Sequence, residues 1–159
     1  DALITTGGVS MGDFDYVKVV LNRLGEMRWM QVAIKPAKPL AFGIVNELPV
    51  FGLPGNPVSS MVSYELFARP ALRKMSGNKN PYRTIFEGKA TQDFLRKPDG
   101  KTHFFRVSAD VGEGTPKIQS AGHQGSHQLT GMAGANALAI LPDGNGVTQD
   151  ATLEFLFLD

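Results

Sequence analysis

Leu3-Ile4-Thr5-Thr6-Gly7-Gly8-Val9-Ser10-Met11-Gly12-Asp13-Phe14-Asp15-Tyr16 is a strand, a glycine turn and a helix start joined without a spacer. Leu3 to Thr6 reads as a short buried strand, and the helix is expected from about Asp13–Asp15 onward. Its apolar residues Val17, Val20, Leu21 and Leu24 follow the i, i+3, i+4, i+7 spacing of one buried face, and Gly25 is placed to end it. The same grammar returns downstream. Val50 to Leu53 is a short apolar strand running into Pro54-Gly55-Asn56-Pro57, and a helix follows from about Val58 to Met75. Asn56 suits its N-cap and Pro57 its first helical position, while Pro70 should kink or split it.

Between these units, Met30 to Ile34 and Leu40 to Val45 are expected as strands on either side of Lys35-Pro36-Ala37-Lys38-Pro39. Beyond Gly77–Pro81 the texture changes. Arg83 to Thr91, Thr102 to Asp110, Lys117 to Ser120, Ala137 to Leu141 and Thr152 to Leu158 are strand candidates. Lys97-Pro98-Asp99-Gly100, Gly112-Glu113-Gly114 and Pro142 to Gly146 supply the turns. The first regime is α/β and the second a small all-β barrel or sandwich. The domains are drawn as 1–78 and 79–159.

Composition narrows the function classes. Hydrophobic residues make up 42% of the 159, enough to bury a core. Lys+Arg is 16 against Asp+Glu 15, a net charge of +1, which argues against a nucleic-acid binder but not against a local cationic pocket. Cysteine is absent, so neither disulfides nor thiolate chemistry is on offer. No apolar run approaches the ~20 residues needed to span a bilayer, and no signal peptide opens the chain, so a cytoplasmic protein is expected. Asp1 at the first position, followed directly by the strand that delivers a ligand loop, is the mark expected of a fragment of a longer polypeptide.

Three constellations carry chemistry. A helix start offers unpaired amides and the positive end of the helix dipole, which suits phosphate or another oxyanion, and here it occurs twice. Gly7, Gly8 and Gly12 let a ligand approach the first loop, and Ser10 adds a hydroxyl; Gly55, Asn56 and Ser59 do the same in the second. Ordinary capped βα turns are the plainer reading of either loop alone. In the proline-rich segment each proline pushes the preceding lysine toward polyproline II. Lys35 and Lys38 would then project from one side, Cα atoms roughly 9 Å apart at about 3.1 Å per residue, as an anion clamp rather than a solubilising tip. Asp13 fits a capping role, whereas Asp15, one turn from the loop, is within reach of a divalent ion such as Mg²⁺ held against a phosphate. His123 and His127 lie among glycines with no third ligand nearby, His103 is expected to pack beside Phe104 and Phe105, and Phe155 and Phe157 are expected in the barrel wall.

Taken in series these motifs resemble one family. Gly7 to Tyr16 looks like the MoeA pattern G-G-V-S-x-G-x-x-D-Y, Lys35 to Pro39 is similar to its K-P-G-K-P, and Gly52 to Ser59 matches G-L-P-G-N-P-V-S. Gly125-Ser126-His127-Gln128-Leu129 to Leu141-Pro142 resembles the C-terminal S-x-x-L…A-N-A-L-x-x-L-P segment, so the likeness covers essentially the whole chain. The resemblance implies the C-terminal half of a MogA-like three-layer molybdopterin-binding domain followed by a small β-barrel. It implies molybdopterin molybdenumtransferase activity: molybdate enters adenylylated molybdopterin, and AMP leaves in a step needing Mg²⁺ or another divalent ion. Ser10 and the loop amides of Gly7, Gly8 and Gly12 would contact the pterin phosphate or adenylate. Asp15 would hold the metal or orient the attacking oxygen, and Lys35 and Lys38, with Pro39, would bind the molybdate or phosphate oxyanion. Gly55, Asn56, Pro57 and Ser59 would line the same pocket. A homodimer building the site across two chains, and a MogA-type adenylyltransferase as partner, are implied too. Ala37 in place of the motif's middle glycine is the one departure within the strap. A gephyrin-type scaffold that binds the pterin without turnover, and a MogA-type adenylyltransferase relative, are the alternatives; the lysine strap and the all-β tail favour the transferase over the latter.

Overall fold

In the computed structural model the described residues are 1–9, 16–122, 124–125 and 130–158. The chain forms two compact units: residues 1–32 with 37–82, and residues 33–36 with 83–159.

The first unit is a four-stranded sheet with helices. Its strands β1 (Leu3–Thr6), β2 (Gly25–Gln31), β4 (Pro39–Val45) and β5 (Leu48–Leu53) lie in the order β1-β5-β4-β2, with α1 (Tyr16–Leu24) between β1 and β2. β1 runs parallel to β5, while β4 is antiparallel to both β5 and β2. Asn46 and Glu47, both at positive φ, turn β4 into β5. Leu40, Phe51 and Leu53 of the sheet and Ala68 of the long helical run form the core, with Phe67, Ala71 and Leu72 packed against it.

Three expectations for this unit change. β1 pairs only with β5 among the described residues, which makes it an edge strand there, and its Leu3 and Ile4 are exposed. On α1 only Leu21 of the apolar stripe is buried, and Val17, Val20 and Leu24 face outward. The expected strand Met30 to Ile34 starts instead at Gly25, directly where α1 stops, and ends at Gln31. A Cβ at Gly25 would sit 2.2 Å from the Ile44 carbonyl oxygen, so it is the close pairing with β4 that calls for glycine there. α1 is tied to β2 by Trp29 Nε1, which donates to Asn22 Oδ1 at 2.7 Å, and by Lys18 over the Trp29 ring.

From Pro57 to Met75 the backbone is helical throughout, as α2 (Pro57–Ser63), a π-helical segment Tyr64–Ala68 and α3 (Arg69–Met75). The wide turn is the form taken by the expected break at Pro70. Proline has no N–H to donate, and the preceding Arg69 amide reaches back five residues to the Tyr64 carbonyl.

The second unit is a closed five-stranded barrel. β6 (Ile85–Ala90), β8 (Thr102–Asp110), β9 (Lys117–Ser120), β10 (Ala137–Leu141) and β12 (Thr152–Phe157) are ordered β10-β12-β6-β9-β8, and β8 closes back on β10. Phe94, Val107, Ile118, Leu141, Leu153 and Phe155 fill it, with Phe105 and Phe157 packed alongside. Strand alternation and glycine turns place β8, β9 and β10 where the sequence predicts them. A ribbon of β7 (Phe94–Leu95) with β11 (Gly146–Val147) and a short helix α4 (Thr130–Ala133) are additions. So is β3 (Ile34–Lys35), which pairs parallel with Thr102–His103 at the start of β8. The free edge of β8 is thus covered in three ways. β3 takes its beginning, the side-chain amide of Gln124 bonds Arg106 N and O in its middle, and β9 takes its end. No helix among the described residues is long and apolar enough to cross a membrane.

Candidate functional site

β1 and β5 run side by side in the same direction, Thr6 opposite Leu53, so both deliver their following loops at one end of the sheet. There the two glycine turns abut. Gly7 N donates to Leu53 O at 2.9 Å, and a Cβ at Gly55 would lie 3.2 Å from Gly7 Cα. Gly7 and Gly8 take φ of 89° and 76°, the left-handed region that favours glycine. Val9 turns inward, its Cγ1 2.7 Å from where a Cβ on Gly52 would be, so Gly52 is the empty space that seats the first loop on β5.

The second loop starts α2 as its composition predicts. Asn56 is the N-cap, its Oδ1 accepting from Ser59 N at 3.4 Å, and Pro57 follows at the first position. Asn56 O accepts from Ser60 N at 2.8 Å, closing the first turn. Ser59 and Ser60 are buried beneath the loop, while Gly55 and Pro57 are exposed above it. A glycine turn, an adjoining helix start and the dipole of that helix are what an oxyanion needs.

The lysine strap differs from expectation. Its backbone is not polyproline II: Ala37 has φ 79°, and the Lys35–Pro36 peptide is cis. The segment is the connection of the β2–β4 hairpin, closed by Val32 N donating to Lys38 O at 2.7 Å. Residues 33–36 belong to the second unit and Ala37 onward to the first, so the two lysines are carried by different units instead of by one stiff strap. Lys38 and Pro39 stand at the entry to β4. Since Ala41 faces Gly52 across antiparallel strands, that entry lies at the same end of the sheet as Gly55. Both lysines are exposed.

The structure therefore brings Gly7, Gly8, Gly55, Asn56, Pro57, Ser59, Lys38 and Pro39 to one sheet end, and places Lys35 on the barrel. Ser10, Gly12, Asp13 and Asp15 of the first loop, and His123 and His127, lie outside the described residues. Among the described residues no three His, Asp or Glu side chains gather as metal ligands.

One network went unforeseen. His103, expected only to pack, does stack near Phe105, but its Nε2 also lies 3.1 Å from Asp99 Oδ1. Asp99 also accepts from Lys101 Nζ at 3.1 Å and from Arg96 Nη2 at 2.7 Å. Arg96 Nη2 also reaches Asp143 Oδ1 at 2.7 Å, and its Nη1 donates to the carbonyls of Lys101, Leu141 and Pro142. Lys101 and then His103 hold the Asp99 carboxyl down at about 2, outweighing partial burial. Asp143 is lowered by the backbone amide of Asp99 first, then those of Gly100 and Gly144 and the charge of Arg96. The turn composition at 97–100 and 142–146 was visible in the sequence; that a buried arginine joins the turns was not.

Comparison with known proteins agrees with both halves. Residues 1–74 match the family described as a probable molybdopterin binding domain, and residues 89–156 match the MoeA C-terminal region (domain IV). A Haemophilus influenzae molybdopterin molybdenumtransferase is 37% identical over 151 residues, covering 92% of this chain and 36% of the relative. A Bacillus subtilis protein of the same name is 36% identical over 160 residues, covering 99% of this chain and 37% of its own. The chain thus spans little more than a third of the length of these relatives. The crystal structure of a molybdopterin biosynthesis MoeA protein from Pyrococcus horikoshii superposes with a TM-score of 0.76 over 99% of this chain and 37% of that one, at 22% identity, a likeness of fold.

Proposed function

Because the chain belongs to the MoeA family, as a stretch joining part of its molybdopterin-binding domain to its C-terminal barrel, we propose that it supplies the oxyanion-binding half of a molybdopterin molybdenumtransferase. In this reading the parent protein works in molybdenum cofactor biosynthesis, taking molybdate and adenylylated molybdopterin and releasing AMP. The observation that carries it is the abutment of the two glycine turns at the ends of parallel β1 and β5, beside the capped start of α2.

Each residue of the motifs then has a role in this reading. The amides around Gly7 and Gly8, with Ser10 and Gly12, receive the pterin phosphate or adenylate. The second loop, Gly55 to Ser59, meets the same anion from the α2 side, its helix dipole offsetting negative charge. Lys38, beside Pro39 at that sheet end, and Lys35 supply positive charge to molybdate or phosphate oxygens as charge develops during transfer. A divalent ion, Mg²⁺ or another, would take Asp15 plus phosphate and water oxygens. That donor set suits magnesium. When bound, the ion would neutralise phosphate charge. We place the family domains at 1–78 and 79–159, with residues 33–36 an excursion of the first. A homodimer and a MogA-type adenylyltransferase partner belong to the same reading.

The test is molybdate-dependent AMP release from adenylylated molybdopterin by the full-length protein. Lys35→Ala with Lys38→Ala is expected to cut turnover by about 100-fold or more, the scale of losing charge stabilisation in a transition state. Undiminished turnover in the double variant would refute the role of the lysines. Asp15→Asn is expected to weaken the dependence on the divalent ion.

A further inference from the structure

Lys35 reaches the barrel through a two-residue strand, and such a short pairing cannot fix a side chain by itself. The backbone that carries it is held at the peptide between Lys101 and Thr102. Its N–H, on Thr102, donates to Ala33 O at 2.9 Å, and Ile34 and Lys35 lie in register with Thr102 and His103. Its carbonyl, on Lys101, accepts from Arg96 Nη1 at 2.7 Å. One planar group is therefore gripped on one side by β3 and on the other by a guanidinium. Planarity ties the two, because the direction of the C=O sets that of the N–H. A charged donor on the carbonyl also polarises the amide and strengthens the bond it gives.

The guanidinium is itself locked. The Arg96 side chain is 1% exposed, its Nη2 is held between Asp99 and Asp143, and its Nη1 is shared with the Leu141 and Pro142 carbonyls. His103 and Lys101 in turn hold Asp99. We propose that Arg96, oriented by Asp99, is a positioning residue for Lys35, acting through the Lys101–Thr102 peptide. This rests on the reading of Lys35 as an oxyanion-binding group. It extends that reading to a side chain that touches no substrate.

The test uses the full-length protein with Asp99→Asn and Arg96→Lys, by amide hydrogen exchange and by molybdate-dependent AMP release. Exchange at Thr102 is expected to quicken about tenfold in either variant while β12 is unchanged, since the charge-assisted bonds that are lost or loosened end on the carbonyls of Lys101, Leu141 and Pro142 and none ends on β12. Turnover is expected to fall in Asp99→Asn but not to fall further when Lys35→Ala is already present. Unaltered exchange at Thr102 in both variants would overturn the proposal. So would equal losses of turnover from Asp99→Asn with Lys35 present and absent, which mark a merely structural role. If Arg96→Lys fails to fold, Asp99→Asn, at a partly exposed site, carries the comparison alone. If Lys35→Ala turns over normally, the anion reading of Lys35 falls, while faster exchange at Thr102 still upholds the positioning.

Discussion

Ala37 holds a backbone conformation that glycine would take without cost, φ 79°, where the family pattern has glycine. A side chain in the left-handed region costs roughly 1–2 kcal/mol. Glycine would relieve that but lose about 0.5–1 kcal/mol to chain entropy and about 0.8 kcal/mol of methyl burial, Ala37 being 4% exposed. The terms nearly cancel, which is why the departure is tolerated. Ala37→Gly is expected to change stability by less than about 0.5 kcal/mol, whereas Ala37→Val, β-branched and buried at positive φ, should cost about 2 kcal/mol or more. Urea unfolding of both variants checks the pair; a stable valine variant would sink the account. Gly52 shows the opposite case. Its need for glycine comes from Val9 and Ala41, 2.7 and 2.9 Å from where a Cβ would be, and no sequence pattern announces those neighbours.

At the scale of elements, the start of α2 and the turns around Arg96 make separate predictions. Asn56→Ala removes the cap of α2 and should cost about 1 kcal/mol. If the loop binds phosphate, inorganic phosphate protection against thermal unfolding should weaken in the same variant. The Asp99 carboxyl is depressed to about 2, below its ordinary value of 3.8. Its contribution is therefore present above about pH 4 and is lost as pH falls from there through about 2. Asp99→Asn should lower stability near pH 6 and flatten the acid limb between about pH 4 and 2, read from the denaturant midpoint at each pH. Elements set by local rules were legible: β8, β9 and β10 by alternation between turn residues, α2 by Asn56 and Pro57. Those set by distant partners were not. β3 exists only because Thr102 and His103 accept it, β2 begins at Gly25 only because β4 lies against it, and among the described residues nothing covers the stripe of Val17, Val20 and Leu24 on α1. The candidate site was legible as motifs; the abutment of Gly7 with Gly55 and the assignment of the two lysines to separate units needed the fold.

For the whole molecule, the informative residue is Ile34, buried at 8% exposure and carried into the barrel unit from the hairpin of the other. Ile34→Ala should cost about 2–4 kcal/mol, and the loss should fall on the unit whose strand β8 it pairs with rather than the one that flanks it in sequence. Hydrogen exchange is expected to quicken in β8 and β10 and to hold steady in β4 and β5. The single tryptophan, Trp29 in β2, should report little change by fluorescence. Equal loosening of both units would contradict this division.

The chain passes from one unit to the other three times, after Val32, after Pro36 and after Tyr82. A cut near residue 82 therefore keeps all five barrel strands but removes the short strand β3 that lies against β8. The excised piece would bare the Thr102–His103 backbone that Ala33–Lys35 covers, and an uncovered strand margin invites other chains to pair with it. Anyone excising this barrel for study would do well to graft residues 33–36 back onto that margin, or to expect the piece to self-associate.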